Sequence, residues 1–220
     1  MSKTIKAADA VARIPDGAVL MIGGFMGVGT PPRLIDELVR QGRHGLTIIA
    51  NDTARPGVGI GKLISAGLVR RAIVSHIGTN PETQAQMIAG SIEVELVPQG
   101  TLIERIRAGG FGLGAVVTPT GVGTSVAEGK RTIEIDGRLY LLEMPLRADF
   151  ALVKARQSDH IGNLAYALTA RNFNPLIAMA ATVVLAEPQE IVPVGVIPPD
   201  AVMTPSVIVT HIIAKESAHG

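Results

Sequence analysis

The chain has 220 residues, long enough to bury roughly 70–75% of its unfolded surface around one substantial core. At 47% hydrophobic and 18% charged residues it cannot be an intrinsically disordered polypeptide. Twenty Lys and Arg against nineteen Asp and Glu leave a net charge of +1, and aromatics stand at 3% with no Trp, so the clustered cations and stacking rings of a nucleic-acid surface are missing. Cysteine is absent, which removes thiol catalysis, thiolate metal sites and disulfides together.

The first half alternates short apolar runs with amphipathic segments. Strands are predicted at 18–22, 46–50, 71–75 and 93–97. Between them, 32–41 carries Leu34, Ile35, Leu38 and Val39 at helical spacing, with Thr30 as its expected N-cap. Asn80-Pro81-Glu82 opens a second helix, and 101–108 forms a third with Leu102, Ile103 and Ile106 on one face. Strict alternation of this kind means βαβ units and a parallel sheet. After residue 115, the runs 132–135 and 139–142 flank Asp136-Gly137, a strong hairpin signal. Strands at 149–154 and 182–186 bracket a helix at 175–180, and a Pro-rich tail precedes a last apolar stretch at 207–214. A mean hydropathy of +0.35 fits a parallel sheet buried on both faces, an apolar surface covered by a permanent partner, or both. The expected fold is a single α/β domain over 1–220: a mainly parallel sheet with helices on both faces and one β-hairpin insertion. Residues 1–6 show no long apolar run after their charges, and no run of 18 apolar residues occurs anywhere, so a cytoplasmic location and no membrane association are expected.

Each early strand runs into residues unsuited to a core: Gly23-Gly24-Phe25-Met26-Gly27-Val28-Gly29-Thr30, then Asn51-Asp52, His76-Ile77-Gly78-Thr79-Asn80, and Pro98-Gln99-Gly100. In an open parallel sheet all of these lie at the carboxyl edge, where ligands bind. The 23–30 loop reads either as an anion-binding turn of free backbone N–H groups at a helix N-terminus or as a tight strand-to-helix turn. Further glycines at 109, 110, 112, 114, 121 and 123 weigh toward function. Neither the dinucleotide order G-x-G-x-x-G nor a P-loop is present: Gly61-Lys62 is followed by Leu63, and Pro56 stands where the P-loop needs Gly. Histidines at 44, 76, 160, 211 and 219 have no metal-binding spacing, so no metal is expected. His76, alone at a strand end, reads first as a structural histidine. Glu143 reads first as a salt-bridge partner.

The run from Asp16 through Gly23-Gly24-Phe25-Met26-Gly27-Val28-Gly29-Thr30-Pro31 resembles the signature of the family I coenzyme A transferases in their α (A) subunit. The likeness continues through Leu96-Val97-Pro98-Gln99-Gly100-Thr101, Arg105-Ile106-Arg107-Ala108-Gly109-Gly110, Thr118-Pro119-Thr120-Gly121-Val122-Gly123-Thr124 and Arg171-Asn172-Phe173-Asn174-Pro175. Ala50-Asn51-Asp52-Thr53 and Ser75-His76-Ile77-Gly78-Thr79-Asn80-Pro81-Glu82-Thr83 resemble the acetate and acetoacetate branch more than the 3-oxoadipate and succinate:3-oxoacid branches.

The resemblance implies a sheet related to that of ribose-phosphate isomerases and transfer of CoA from a short-chain acyl-CoA to a free carboxylic acid, with no cofactor besides these substrates. The nucleophilic glutamate lies in a Ser-Glu-Asn-Gly-type motif of the β half. This sequence has no such motif, so a β-subunit partner in an α2β2 assembly is expected. Carried over by motif, Gln99 faces the oxyanion. Gly24, Phe25, Gly27 and Gly29 shape the acyl-side loop, Asn51 lines the pocket, and Gly109 and Gly110 allow close approach across the site. Asp52, where some relatives have Asn, bears on the identity of the acid. Two other classes stand beside this one, a dinucleotide-dependent oxidoreductase and a sugar-phosphate-binding isomerase or sensor, the latter by fold analogy alone.

Overall fold

The computed structural model describes residues 3–214; His219 and the first two residues of the N-terminal stretch lie outside the described residues. In chain order the elements are β1 (Thr4–Ile5), α1 (Ala7–Val11), β2 (Val19–Ile22), α2 (Pro32–Gln41), β3 (Leu46–Asp52), α3 (Gly61–Ser65), β4 (Val69–His76), α4 (Pro81–Ile88), β5 (Glu93–Leu96) and α5 (Gln99–Phe111). There follow β6 (Val116–Thr118), β7 (Thr132–Ile135), β8 (Arg138–Glu143), β9 (Ala148–Asp159), β10 (Leu164–Ala165), α6 (Asn174–Met179), β11 (Ala181–Val192) and β12 (His211–Ile213).

The main sheet runs β1-β12-β11-β9-β2-β3-β4-β5, and every neighbouring pair on this path is parallel; β10 joins β9 antiparallel. Strand side chains alternate between two apolar layers. Leu20, Ile22, Ile48, Ala50 and Val74 pack with α1, α2 and α3. Met21, Ile49, Ile73, Val153 and Val184 pack with α5 and α6 on the other face. All seven residues of β3 are buried, which is why the central strands read as near-continuous apolar runs. Truncating one of these Leu or Ile side chains to Ala costs about 2–5 kcal/mol.

The predicted hairpin is there, with Asp136 (φ +51°) and Gly137 (φ +72°) in its turn, but it is part of a second, three-stranded antiparallel sheet, because β6 pairs with β8. An ionic network ties this sheet to the main one. Buried Glu143 meets Lys130 Nζ at 2.6 Å and Arg105 Nε at 3.8 Å, while Arg105 Nη1 reaches Glu95 at 2.9 Å and Arg71 Nη2 reaches it at 2.8 Å.

Boundaries moved where side chains find distant partners. Strand β3 extends through Asn51 and Asp52, and α5 begins at Gln99 rather than 101. Thr30 does not cap α2. Pro31 occupies the N-cap, the Thr30 hydroxyl donates to Gly23 O at 2.9 Å, and the helix N-terminus is closed from across the fold by buried Glu187, whose Oε2 accepts from Leu34 N at 3.1 Å. The glycines at 109–114 are no sheet-edge loop: Gly109 and Gly110 are helical and Gly112 is the left-handed C-cap of α5. Those at 121 and 123 belong to the connection between β6 and β7.

Candidate active site

The carboxyl edge of the main sheet gathers the ends of β2, β3, β4 and β5. Strand β3 contributes two consecutive polar residues, and the alternation that buries Ile49 in one layer and Ala50 in the other sends Asn51 toward the α5 side and Asp52 toward the opposite side.

On the α5 side, Gln99 stands exposed at the first position of that helix with Nε2 2.8 Å from Asn51 Oδ1. Ser75 Oγ lies 2.7 Å from the main-chain oxygen of Asn51 and 2.9 Å from Asn51 Oδ1. Asn51 is fully buried, and its Nδ2 has no hydrogen-bond partner. Pairing of Ala50 with Val74 and of Asp52 with His76 sets Asn51 and Ser75 side by side, so their contact follows from register, and Gln99 joins them from the start of α5.

On the other side, Asp52 is 3% exposed and both carboxylate oxygens are engaged by backbone. Oδ2 accepts from Met26 N at 2.9 Å and Oδ1 from Ala54 N at 2.7 Å. Both donors belong to non-glycine residues in the left-handed region, Met26 at φ +53° and Ala54 at φ +54°, each of which costs of order 1–3 kcal/mol unless held by its surroundings. Asp52 is therefore a clamp on two strained loops. This structural duty accounts for a carboxylate at position 52 without a substrate.

The glycine loop is a tight turn. Phe25 and Val28 exchange both backbone hydrogen bonds at 2.9 Å around Met26 and Gly27, and positive φ at both central residues makes it the turn whose twist suits two short strands. The N–H groups of Gly23, Phe25, Met26 and Val28 are bonded to Leu152 O, Val28 O, Asp52 and Phe25 O. An anion cradle built on these donors is thereby excluded, and the neighbouring Asp52 carboxylate disfavours an anion there as well. Gly27 faces Val58, whose Cγ1 would lie 2.6 Å from an added Cβ. Gly24 is buried with Thr30 against it, Gly29 lies against Ala170, and Phe25 is 44% exposed beside them. Fully buried Asn174 secures the loop: Oδ1 accepts from Lys154 N at 2.9 Å, and Nδ2 donates to Gly29 O at 3.1 Å and Ala170 O at 3.0 Å.

Of the expected site residues, Gln99 and Asn51 are brought into contact, and the loop holding Gly24, Phe25, Gly27 and Gly29 is fastened to the neighbouring Asp52. Gly109 and Gly110 are not brought there. They sit about 15 Å along α5 from Gln99, where a Cβ would collide with Leu146 O and Met179 respectively, so close packing accounts for both. His76 is exposed at the end of β4 with its ring against Gly78. Ser75 and Asn174 carry structural duties at the site that local sequence did not assign. Ser75 could have been found by aligning the polar ends of adjacent parallel strands. Among the described residues no group of three or more His, Asp or Glu could hold a metal ion.

The coenzyme A transferase family model matches residues 4–215. This chain belongs to the coenzyme A transferase family. The acetate CoA-transferase subunit alpha of Escherichia coli (strain K12) is 55% identical over 217 residues, 99% of each chain. The acetoacetyl-CoA:acetate/butyrate CoA transferase alpha subunit of Clostridium acetobutylicum is 49% identical over the same share of both chains. An acyl-CoA transferase from Escherichia coli O157:H7, solved as a thioester complex with CoA, superposes with a TM-score of 0.86 at 23% identity, across 97% of this chain and 50% of that one. That likeness shows a shared fold, and the transferase fold here spans half of the longer protein. As a CoA-transferase the chain is an enzyme component, and its exposed Gln99 and buried Asn51 stand at the sheet edge where this architecture places ligands.

Proposed function

We propose that this chain is the α subunit of a CoA-transferase that moves CoA between acetoacetyl-CoA or another short-chain acyl-CoA and a free acid such as acetate. The observation that carries this reading is near full-length identity of 55% to a protein named as the alpha subunit of an acetate CoA-transferase. The chain holds no Ser-Glu-Asn-Gly run, so the nucleophilic glutamate comes from a β subunit, and the working unit is an α2β2 assembly in the cytoplasm. Among the described residues no helix is long and apolar enough to cross a membrane. CoA and its acyl esters are substrates, and no cofactor enters.

In this reaction the β-subunit glutamate adds to the thioester carbonyl, CoA leaves as thiolate, and an acyl-glutamyl anhydride remains. The thiolate then adds to the glutamyl carbonyl and releases the first acid, leaving CoA bound to the glutamate. The second acid reverses both steps and departs as the new acyl-CoA. Splitting one transfer into such steps is covalent catalysis by a carboxylate. Every addition develops an oxyanion, and hydrogen-bond donors aimed at it supply much of the rate. Gln99 is the donor this chain contributes, supported by its exposure at the sheet edge and its anchorage to Asn51. Gly24, Phe25, Gly27 and Gly29 shape the acyl-side loop, which is fastened through Met26 to Asp52.

The test is reconstitution. The purified chain alone transfers no CoA between acetoacetyl-CoA and acetate, and addition of its β partner starts turnover. Transfer by the homogeneous single chain overturns the reading.

A further inference from the structure

The nitrogen and oxygen of a side-chain amide occupy equivalent positions and are told apart by their hydrogen bonds. In the orientation described above, the single proton of Ser75 faces two acceptors, Asn51 O at 2.7 Å and Asn51 Oδ1 at 2.9 Å. The two protons of Asn51 Nδ2 meanwhile point into a buried region without a partner. Four protons are at stake around Asn51, and only two find an acceptor of their own.

Turning both amides over resolves this with no heavy atom displaced beyond the exchange of N and O. Ser75 donates to the main-chain oxygen of Asn51 and accepts from Asn51 Nδ2, and the second Asn51 proton goes to Gln99 Oε1. What remains is one buried carbonyl oxygen, a group proteins leave under-satisfied more readily than a buried N–H. We infer that Ser75 fixes the direction of a relay running from Asn51 to Gln99, and that this direction turns the NH2 of Gln99 toward the open side of the sheet edge. The consequence is chemical. In this direction the exposed end of Gln99 offers two N–H donors, as an oxyanion needs; in the opposite one it offers lone pairs that repel the developing charge.

Ser75 touches no reacting atom and is a positioning residue. Its role as stated rests on the transferase reading above, whereas the direction of the relay does not. Side-chain amide NMR on the isotopically labelled full chain reads the direction without a partner or activity. Expected are close contacts between the Asn51 amide protons and the Ser75 side chain, with the Gln99 amide protons exchanging at the solvent rate. A protected Gln99 amide proton, with Asn51 amide protons remote from Ser75, overturns the relay.

Kinetics of the reconstituted complex read its use. Losing the bias of one neutral hydrogen bond converts to roughly a 3- to 10-fold fall in kcat for Ser75→Ala, with KM for acyl-CoA within about twofold because binding contacts are untouched. Ser75→Thr restores the hydroxyl and recovers most of the rate. An undiminished kcat in Ser75→Ala refutes the positioning role. If the wild-type complex transfers no CoA, the proposed function falls while the NMR result still decides the relay.

Discussion

Asp52→Asn keeps the size and shape of the side chain and changes one acceptor oxygen into an NH2 that must face a backbone N–H, either that of Met26 or that of Ala54. A hydrogen bond to a charged acceptor contributes about 1.5–3 kcal/mol, and the abandoned donor stays buried. Part of this is offset because a neutral amide is less costly to bury than a carboxylate at 3% exposure. The net loss is about 2 kcal/mol, placed on two loops already at positive φ. For a chain of this size each kcal/mol lowers Tm by about 2–4 °C, so the variant melts about 4–8 °C below the wild type. Calorimetric melts of both chains check this, and turnover with a set of monocarboxylic and dicarboxylic acids in the reconstituted complex checks the second half: the ranking of acids is unchanged. An unaltered Tm together with a new preference among acids refutes the clamp and makes Asp52 a specificity residue.

Gln99→Ala removes the donor while sparing the fold, and kcat of the reconstituted complex falls about 10²–10³-fold; an unchanged kcat makes Gln99 structural. Gly27→Val forces a β-branched residue to φ +86° against Val58, which destabilises the chain by about 1–2 kcal/mol or more and leaves turnover per folded molecule normal, because the added side chain is directed at Val58. Melts beside kinetics separate this from loss of activity at full stability, the outcome that restores a pocket at Gly27. Burial raises the pKa of Glu95, but the Arg105 and Arg71 contacts outweigh it and hold the group below its ordinary 4.5. The stability it confers is therefore complete above about pH 4.5 and is lost as pH falls through the lower folded value. In urea titrations the gap between wild type and Glu95→Gln narrows below pH 4.5, and a gap that stays constant across that point argues against these ion pairs.

The parallel sheet was legible because both of its faces are covered, so 18–22 reads as an unbroken apolar run and 46–50 and 71–75 as largely apolar ones. The hairpin was legible because Asp136-Gly137 needs no distant information to turn. The five-residue helices α1 and α3 and the three-residue strand β6 were not predicted, since so few residues display no period and gain their stability from tertiary packing. At the site, the polar ends of the strands pointed to the correct edge. The partners of Asn51, Asp52 and Asn174 lie between 2 and 145 residues away, and most of these pairings exist only once the strands are in register. The glycines misled for the same reason: at 109 and 110 a residue without a side chain signals a neighbouring helix or carbonyl as readily as a substrate, and the sequence does not distinguish them.

Strand β3 ends with two polar residues that face opposite ways and do unlike work, one orienting Gln99 and one holding the glycine turn. Their assignment depends on counting residues from the centre of the sheet. A single-residue deletion within 46–50 would carry Asp52 into the place of Asn51, sending a carboxylate to Gln99 and removing the acceptor of Met26 N, while every residue of the site remained present in the chain. Variant libraries of this enzyme should therefore sample side chains in this stretch freely at its exposed neighbours, yet hold the spacing from Leu46 to Asp52 fixed. A change of length there is a change of chemistry, even where the composition is untouched.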